Sequence, residues 1–145
     1  AAEPGPAGAA GVEGGQGGVA AAPSALSDLV VDDEEAVRMT LSEMVTALGH
    51  RVTQADGGPA ALRAVEGGEF DLVFSDLSMP EMDGWEVARE IRRRRPGARV
   101  VIVTGYGKEA ARAGGEAAAA ADAVIGKPFD FRQIEEMLAR FGGRE

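Results

Sequence analysis

The chain has 145 residues, 45% hydrophobic and 27% charged, the composition of one globular domain with room for a tail. Its formal net charge of −9 argues against broad nucleic-acid binding, which needs a basic surface, and suits a divalent-cation site. With no cysteine there is neither a disulfide nor a thiolate metal site, and no apolar run approaches the roughly 18 residues of a membrane span. No basic start followed by an apolar core marks a signal peptide, so a cytoplasmic location without membrane insertion is expected.

Residues 1–25 are almost entirely Ala, Gly and Pro. Such a segment cannot bury enough apolar surface to offset its ordering entropy, and reads as a disordered leader or linker. The folded domain is expected over 26–145.

From Leu29 onward, short apolar runs alternate with segments of helical period. The runs are Leu29-Val30-Val31, Arg51-Val52-Thr53, Leu72-Val73-Phe74, Val100-Val101-Ile102-Val103 and Ala123-Val124-Ile125. Several are continuous rather than alternating, as in strands buried on both faces. Val37, Leu41, Met44, Val45 and Leu48 share one face of a first helix, closed by Gly49. Pro59 suits the first turn of a second helix carrying Leu62 and Val65. Trp85, Ala88 and Ile91 mark a third, ended by Pro96. A fourth is expected over 107–121, weakened by Gly114 and Gly115. Asp130 and Gln133 form a cap-like pair before Ile134, Met137, Leu138 and Phe141 of the last. Five βα units predict a doubly wound, five-stranded parallel sheet with helices on both faces.

Ligands of such α/β folds sit beyond the carboxyl ends of the strands. There the sequence places Asp32-Asp33, Asp76, Thr104 and Lys127, with Gln54-Ala55-Asp56 at the sheet's edge. Close carboxylates stay ionised only beside a compensating cation, and oxygen donors favour a hard ion, with Mg²⁺ the default. Lys127 adds a point charge able to bind phosphoryl oxygens, and Thr104 a hydroxyl. An aspartate can itself be a nucleophile that forms an aspartyl-phosphate. Taken singly, each residue has a blander reading: a solvated acidic turn, an Asp in a loop, a surface lysine. The convergence carries the functional one.

Val30-Val31-Asp32-Asp33-Glu34, Ser75-Asp76-Leu77-Ser78-Met79-Pro80-Glu81-Met82-Asp83-Gly84, Val103-Thr104-Gly105 and Gly126-Lys127-Pro128-Phe129 occur in that order. Together they resemble the motifs of bacterial response-regulator receiver domains of two-component systems, over residues 29 to about 141. The resemblance implies a flavodoxin-like fold. It implies phosphorylation of Asp76 by a histidine kinase or phosphotransfer protein. It also implies Mg²⁺ held by Asp32, Asp33, Asp76 and the backbone carbonyl of Ser78, a switch hydroxyl at Thr104 and a phosphoryl-contacting Lys127. A cis Lys127–Pro128 bond belongs to the same pattern. Such a domain is a switch that assists its own phosphorylation and dephosphorylation, not a turnover enzyme. It signals to an output protein or domain and does not itself bind nucleic acid. The Met82–Ala88 and Val103–Gly107 segments resemble hybrid-kinase receivers, and the leader would suit a linker from a histidine kinase or equally a free-standing regulator.

Three departures stand out. Asp28 occupies an apolar position of the first strand, which is expected to fray or shorten there. Val124 stands where many members carry an aromatic, which shifts switching toward Gly105, Tyr106 and Gly107. Gly114-Gly115 is unusual in the fourth helix. His50 is assigned no role, and Arg92–Arg95 reads as a solvated helix C-terminus. Three other readings compete: a phosphotransfer enzyme, a nucleotide binder and a structural adaptor. A haloacid-dehalogenase-like phosphotransferase needs a second Asp where Ser78 stands. A P-loop needs a glycine where Ile102 stands and Ser or Thr where Glu109 stands. A structural adaptor that is never phosphorylated would not need the full set of acids.

Overall fold

The computed structural model describes residues 26–105 and 120–141. The leader, Tyr106, the Gly114–Gly115 pair and all but the last two residues of the helix expected over 107–121 lie outside them. The elements run β1 (Ser27–Val31), α1 (Glu35–Ala47), β2 (Arg51–Ala55), α2 (Gly58–Gly67), β3 (Leu72–Asp76), α3 (Gly84–Arg94), β4 (Arg99–Thr104), β5 (Ala123–Gly126) and α4 (Phe131–Phe141). All strand pairs are parallel, in the order β2-β1-β3-β4-β5. The doubly wound architecture and the edge position of β2 are as the sequence predicts.

Each face of the sheet carries its own core. Leu29, Val31, Val73, Val100 and Ile102 pack against Ala61 and Val65 of α2 and Val87, Ala88 and Ile91 of α3. Val30, Leu72, Phe74, Val101 and Val103 pack against Leu41 and Val45 of α1 and Ile134 and Leu138 of α4. Alternate strand residues thus serve opposite faces, which explains why the central runs are continuously apolar. Each fully buried Val, Ile or Phe contributes roughly 1.5–3 kcal/mol.

The helix ends follow local chemistry. Gly49, after α1, has φ +96°, a left-handed conformation open to glycine at little steric cost. Asp130 and Gln133 form the expected reciprocal cap, at 2.8 and 2.9 Å. Asp83 and Glu86 form a second such box at the start of α3, which the sequence reading did not identify.

Three expectations are corrected. β1 does not fray at Asp28: its ladder starts at Ser27, and Asp28 pairs with both Val52 and Leu72. Backbone hydrogen bonding overrides the polarity of the side chain, which is fully buried against His50. His50 therefore has a partner, its Nδ1 lying 2.8 Å from Oδ2 of Asp28. The basic run is not merely solvated: Arg92 reaches Asp122, Arg93 and Arg94 reach Glu90, Arg94 also reaches Glu66, and Arg95 donates to the Val65 carbonyl. Val124 lies beside Ile102, partly buried against the α2/α3-side core.

Candidate functional site

The open α/β sheet reverses its strand order between β1 and β3, the position where ligands of such folds bind. Val31 pairs with Ser75, so Asp32 and Asp76 emerge level at the carboxyl edge. Asp33 follows, exposed to solvent, whereas Asp32 and Asp76 are buried. One carboxylate oxygen from each of Asp32, Asp33 and Asp76 falls within a 4.8 Å cluster.

Lys127 approaches from the end of β5. Its N–H donates to the Thr104 carbonyl at 2.9 Å, which continues the β4–β5 pairing. Its Nζ lies 3.0 Å from Oδ1 of Asp76 and 3.4 Å from Oδ2 of Asp32. The Lys127–Pro128 peptide is cis. Thr104 closes β4, almost wholly buried, and Ser78 lies exposed two residues beyond Asp76. All six residues singled out in the sequence thus lie at the same edge of the sheet.

The loop after Asp76 is pinned from several sides. Leu77 N–H donates to the Val103 carbonyl, Gly84 N–H donates to the Leu77 carbonyl at 2.8 Å, and Ser75 Oγ donates to the Asp76 carbonyl at 3.0 Å. Gly84 opens α3 directly against this turn: a Cβ there would stand 2.5 Å from the Asp76 carbonyl oxygen. Only glycine allows that approach. The sole tryptophan, Trp85, follows and is buried beside the site loop.

The electrostatics show a site short of positive charge. Burial lifts the Asp76 carboxyl above its ordinary value; the Lys127 hydrogen bond pulls it back and the Asp32 charge raises it again. Burial works against the Lys127 ammonium, but Asp76 and Asp32 together outweigh it and hold its pKa above normal. Three acids against one lysine leave two uncompensated negative charges, and the donors are all oxygen. That set fits a hard divalent cation.

This fold with this acid–lysine edge defines the class of phosphorylation-controlled receiver modules. The chain belongs to the response regulator receiver domain family, which it matches over residues 29–139. It is 39% identical over 121 residues to the sensor kinase CckA of Brucella abortus, covering 77% of this chain and 12% of that kinase. It is 32% identical over 114 residues to the response regulator receiver protein CpdR of the same species, covering 76% of this chain and 94% of CpdR. The response regulator TrrA of Thermotoga maritima, solved in complex with Mg²⁺-BeF, superposes with a TM-score of 0.73 at 34% identity, covering 80% of this chain and 98% of that one. The chain is therefore a two-component receiver domain, though it spans only about an eighth of the length of the curated kinase relative.

Sequence reasoning missed Arg38. This α1 residue donates from Nη1 to the Asp32 carbonyl at 2.8 Å and from Nε to Oε1 of Gln54 at 3.1 Å. Its signal in the sequence is thin: an arginine one helical turn beyond an acidic pair, level with a polar strand end.

Proposed function

We propose that the chain accepts a phosphoryl group on Asp76 from a histidine kinase or phosphotransfer protein, with Mg²⁺ held by Asp32, Asp33, Asp76 and the Ser78 carbonyl. The observation that carries this reading is Lys127 Nζ, 3.0 Å from Asp76 Oδ1, facing a three-carboxylate cluster. A carboxylate oxygen of Asp76 forms the new P–O bond while the donor's P–N bond breaks. That electron pair returns to the donor imidazole, which then takes up a proton. Lys127 moves its hydrogen bond from the carboxylate to a phosphoryl oxygen without changing charge. Thr104 supplies a hydroxyl hydrogen bond to the same group. Bound Mg²⁺ supplies neutralisation of the phosphoryl oxygens.

The domain acts as a switch rather than a turnover enzyme, since Ser78 stands where a haloacid-dehalogenase-like site needs its acid/base carboxylate. Its partners are proteins: the net charge is −9 and the side chains of Arg92–Arg95 are all engaged within the fold. The similarity to part of a sensor kinase supports a hybrid-kinase origin. Acetyl phosphate with Mg²⁺ should add one phosphoryl group by intact mass. Asp76→Asn should abolish the gain; a variant that still gains it refutes the assignment.

A further inference from the structure

The acid at the end of β1 is held by more than its own loop. Asp32 N–H donates to the Ala55 carbonyl of β2 at 3.1 Å, and its Oδ1 accepts the Glu34 N–H at 2.8 Å. Its carbonyl accepts from Arg38 Nη1, and Arg38 Nε in turn holds Gln54. The Arg38 backbone N–H also donates to the Glu34 carbonyl at 3.0 Å, so one residue binds both ends of the Asp32–Glu34 turn. This matters because α1 starts without a conventional cap: the side chain of Glu34, its N-cap, makes no capping hydrogen bond.

The load on this turn is electrostatic. Asp32 and Asp33 are both in the 4.8 Å carboxylate cluster, and without a cation the acids repel one another. The turn is the part able to relieve that repulsion, by swinging Asp33 outward with the first turn of α1. Arg38 opposes the movement by tying the Asp32 carbonyl to the end of β2. Nε–H and Nη1–H point in different directions fixed by one planar guanidinium, so Arg38 engages Gln54 and Asp32 at once; an ammonium at the same place has no such fixed donor geometry.

We infer that Arg38, braced by Gln54, is a positioning residue that holds the Asp32–Asp33 turn in its cation-binding geometry. The inference rests on the reading of the acidic edge as a Mg²⁺ site. Arg38 is assigned no contact with the phosphoryl group or the cation. It acts through the backbone of Asp32, as outer residues orient the ligands of other metal sites.

Two influences of Arg38 on a cation oppose each other, which makes the inference testable. As a positive charge alone it would repel Mg²⁺, and its removal would tighten binding. As a tether its removal loosens the turn and weakens binding. The full chain, and the variants Arg38→Gln, Arg38→Lys and Gln54→Ala, would be titrated with Mg²⁺ and followed by Trp85 fluorescence. Exchange of the Glu34 amide would be followed by NMR in metal-free protein. Arg38→Gln and Arg38→Lys are both expected to bind about tenfold more weakly, as for other lost outer-sphere partners. Gln54→Ala should fall between them and the wild type, and Glu34 amide exchange should quicken in all three. Arg38→Lys that binds like the wild type, or Arg38→Gln that binds more tightly, overturns the inference and leaves the metal site standing. A wild-type chain with no Mg²⁺ response overturns the metal site, and the inference with it.

Discussion

His50 places its Nδ1 2.8 Å from Oδ2 of Asp28, a carboxyl with no exposed surface, at the end of the sheet opposite the acidic site. Burial, reinforced by the charge of Asp71, pushes the Asp28 carboxyl up from 3.8 to about 8. Burial also lowers His50 from its usual 6.5, with Asp71 offsetting part of the effect. The pair therefore holds one proton between its two facing atoms through the neutral range.

A pH dependence follows, with a definite sign. Just below 6.5, down to the lowered native value of His50, the unfolded chain also holds one proton, on His50, so the pair contributes little slope there. Above 6.5 the unfolded chain has released it, while the native pair keeps its own until about 8. Stability from this pair is therefore lost as pH rises through that window. A one-proton difference is worth about 1.4 kcal/mol per pH unit, so the loss is roughly 2 kcal/mol. Urea unfolding at the two ends of the window measures it. Asp28→Asn, which removes the titration while keeping a polar group against His50, should show a smaller fall. An equal fall in both proteins assigns the effect elsewhere.

Asp122, just before β5, ties β4 and α3 together through one oxygen. Its Oδ2 accepts the Val100 N–H at 2.8 Å and Arg92 Nη2 at 2.7 Å. Val100 is fully buried, so Asp122→Ala leaves its N–H without that acceptor, at a cost of about 1–3 kcal/mol. Arg92 is one-third exposed in its side chain, and Arg92→Ala should cost less, under about 1 kcal/mol. Denaturant midpoints of the two variants check the order. Equal costs would mean that the ion pair, not the backbone bond, is what holds β5.

The site was legible because its residues sit at strand ends, and strand ends in a parallel α/β sheet converge by topology. Asp32, Asp76, Thr104 and Lys127 needed only the strand runs to be placed. The Asp130–Gln133 cap was legible because its spacing is local. Arg38–Gln54 was not, because it joins a helix to an edge strand through side chains whose meeting depends on register and helix rotation. Asp28 was read against the strand because polarity is visible in sequence, whereas the partner that tolerates it is brought in from the start of the adjacent strand. His50 had no pattern of its own; pairing Ser27 with Arg51 is what carries it to Asp28.

Gly84 sets how closely α3 approaches the Asp76–Leu77 turn. A Cβ at this position would lie 2.5 Å from the Asp76 carbonyl oxygen and 2.9 Å from the Leu77 Cα, both main-chain atoms that cannot step aside alone. Gly84→Ala should therefore destabilise by about 1–3 kcal/mol, as overpacked substitutions do. Gly97→Ala meets nothing within 4 Å and should stay within about 0.5 kcal/mol of the wild type. Thermal unfolding of the two compares them directly. Because the shift reaches the Asp76 backbone, Gly84→Ala should also weaken the Mg²⁺ response; a normal titration in a destabilised variant would separate the packing role from the site.

Asp76 makes the metal-free domain less stable than it could be. Its carboxyl stands above the ordinary 3.8, burial being the largest cause, and that net shift already includes the attraction of Lys127. A carboxyl raised in the native state contributes its full stability below 3.8, where it is protonated folded and unfolded, and loses it as pH rises through the native value. At neutral pH the charged form is thus a net cost, and Asp76→Asn, which resembles the neutral form, should be more stable than wild type without Mg²⁺. That advantage should shrink toward acid pH, as the wild-type carboxyl itself becomes neutral. Mg²⁺ should reverse the order, because a ligand stabilises in proportion to its affinity for the native state and the variant has lost one of three carboxylates. Unfolding midpoints of both proteins, with and without Mg²⁺ at neutral and acid pH, test all three statements. A variant less stable than wild type in the absence of metal would mean that the Lys127 ion pair outweighs burial and repulsion.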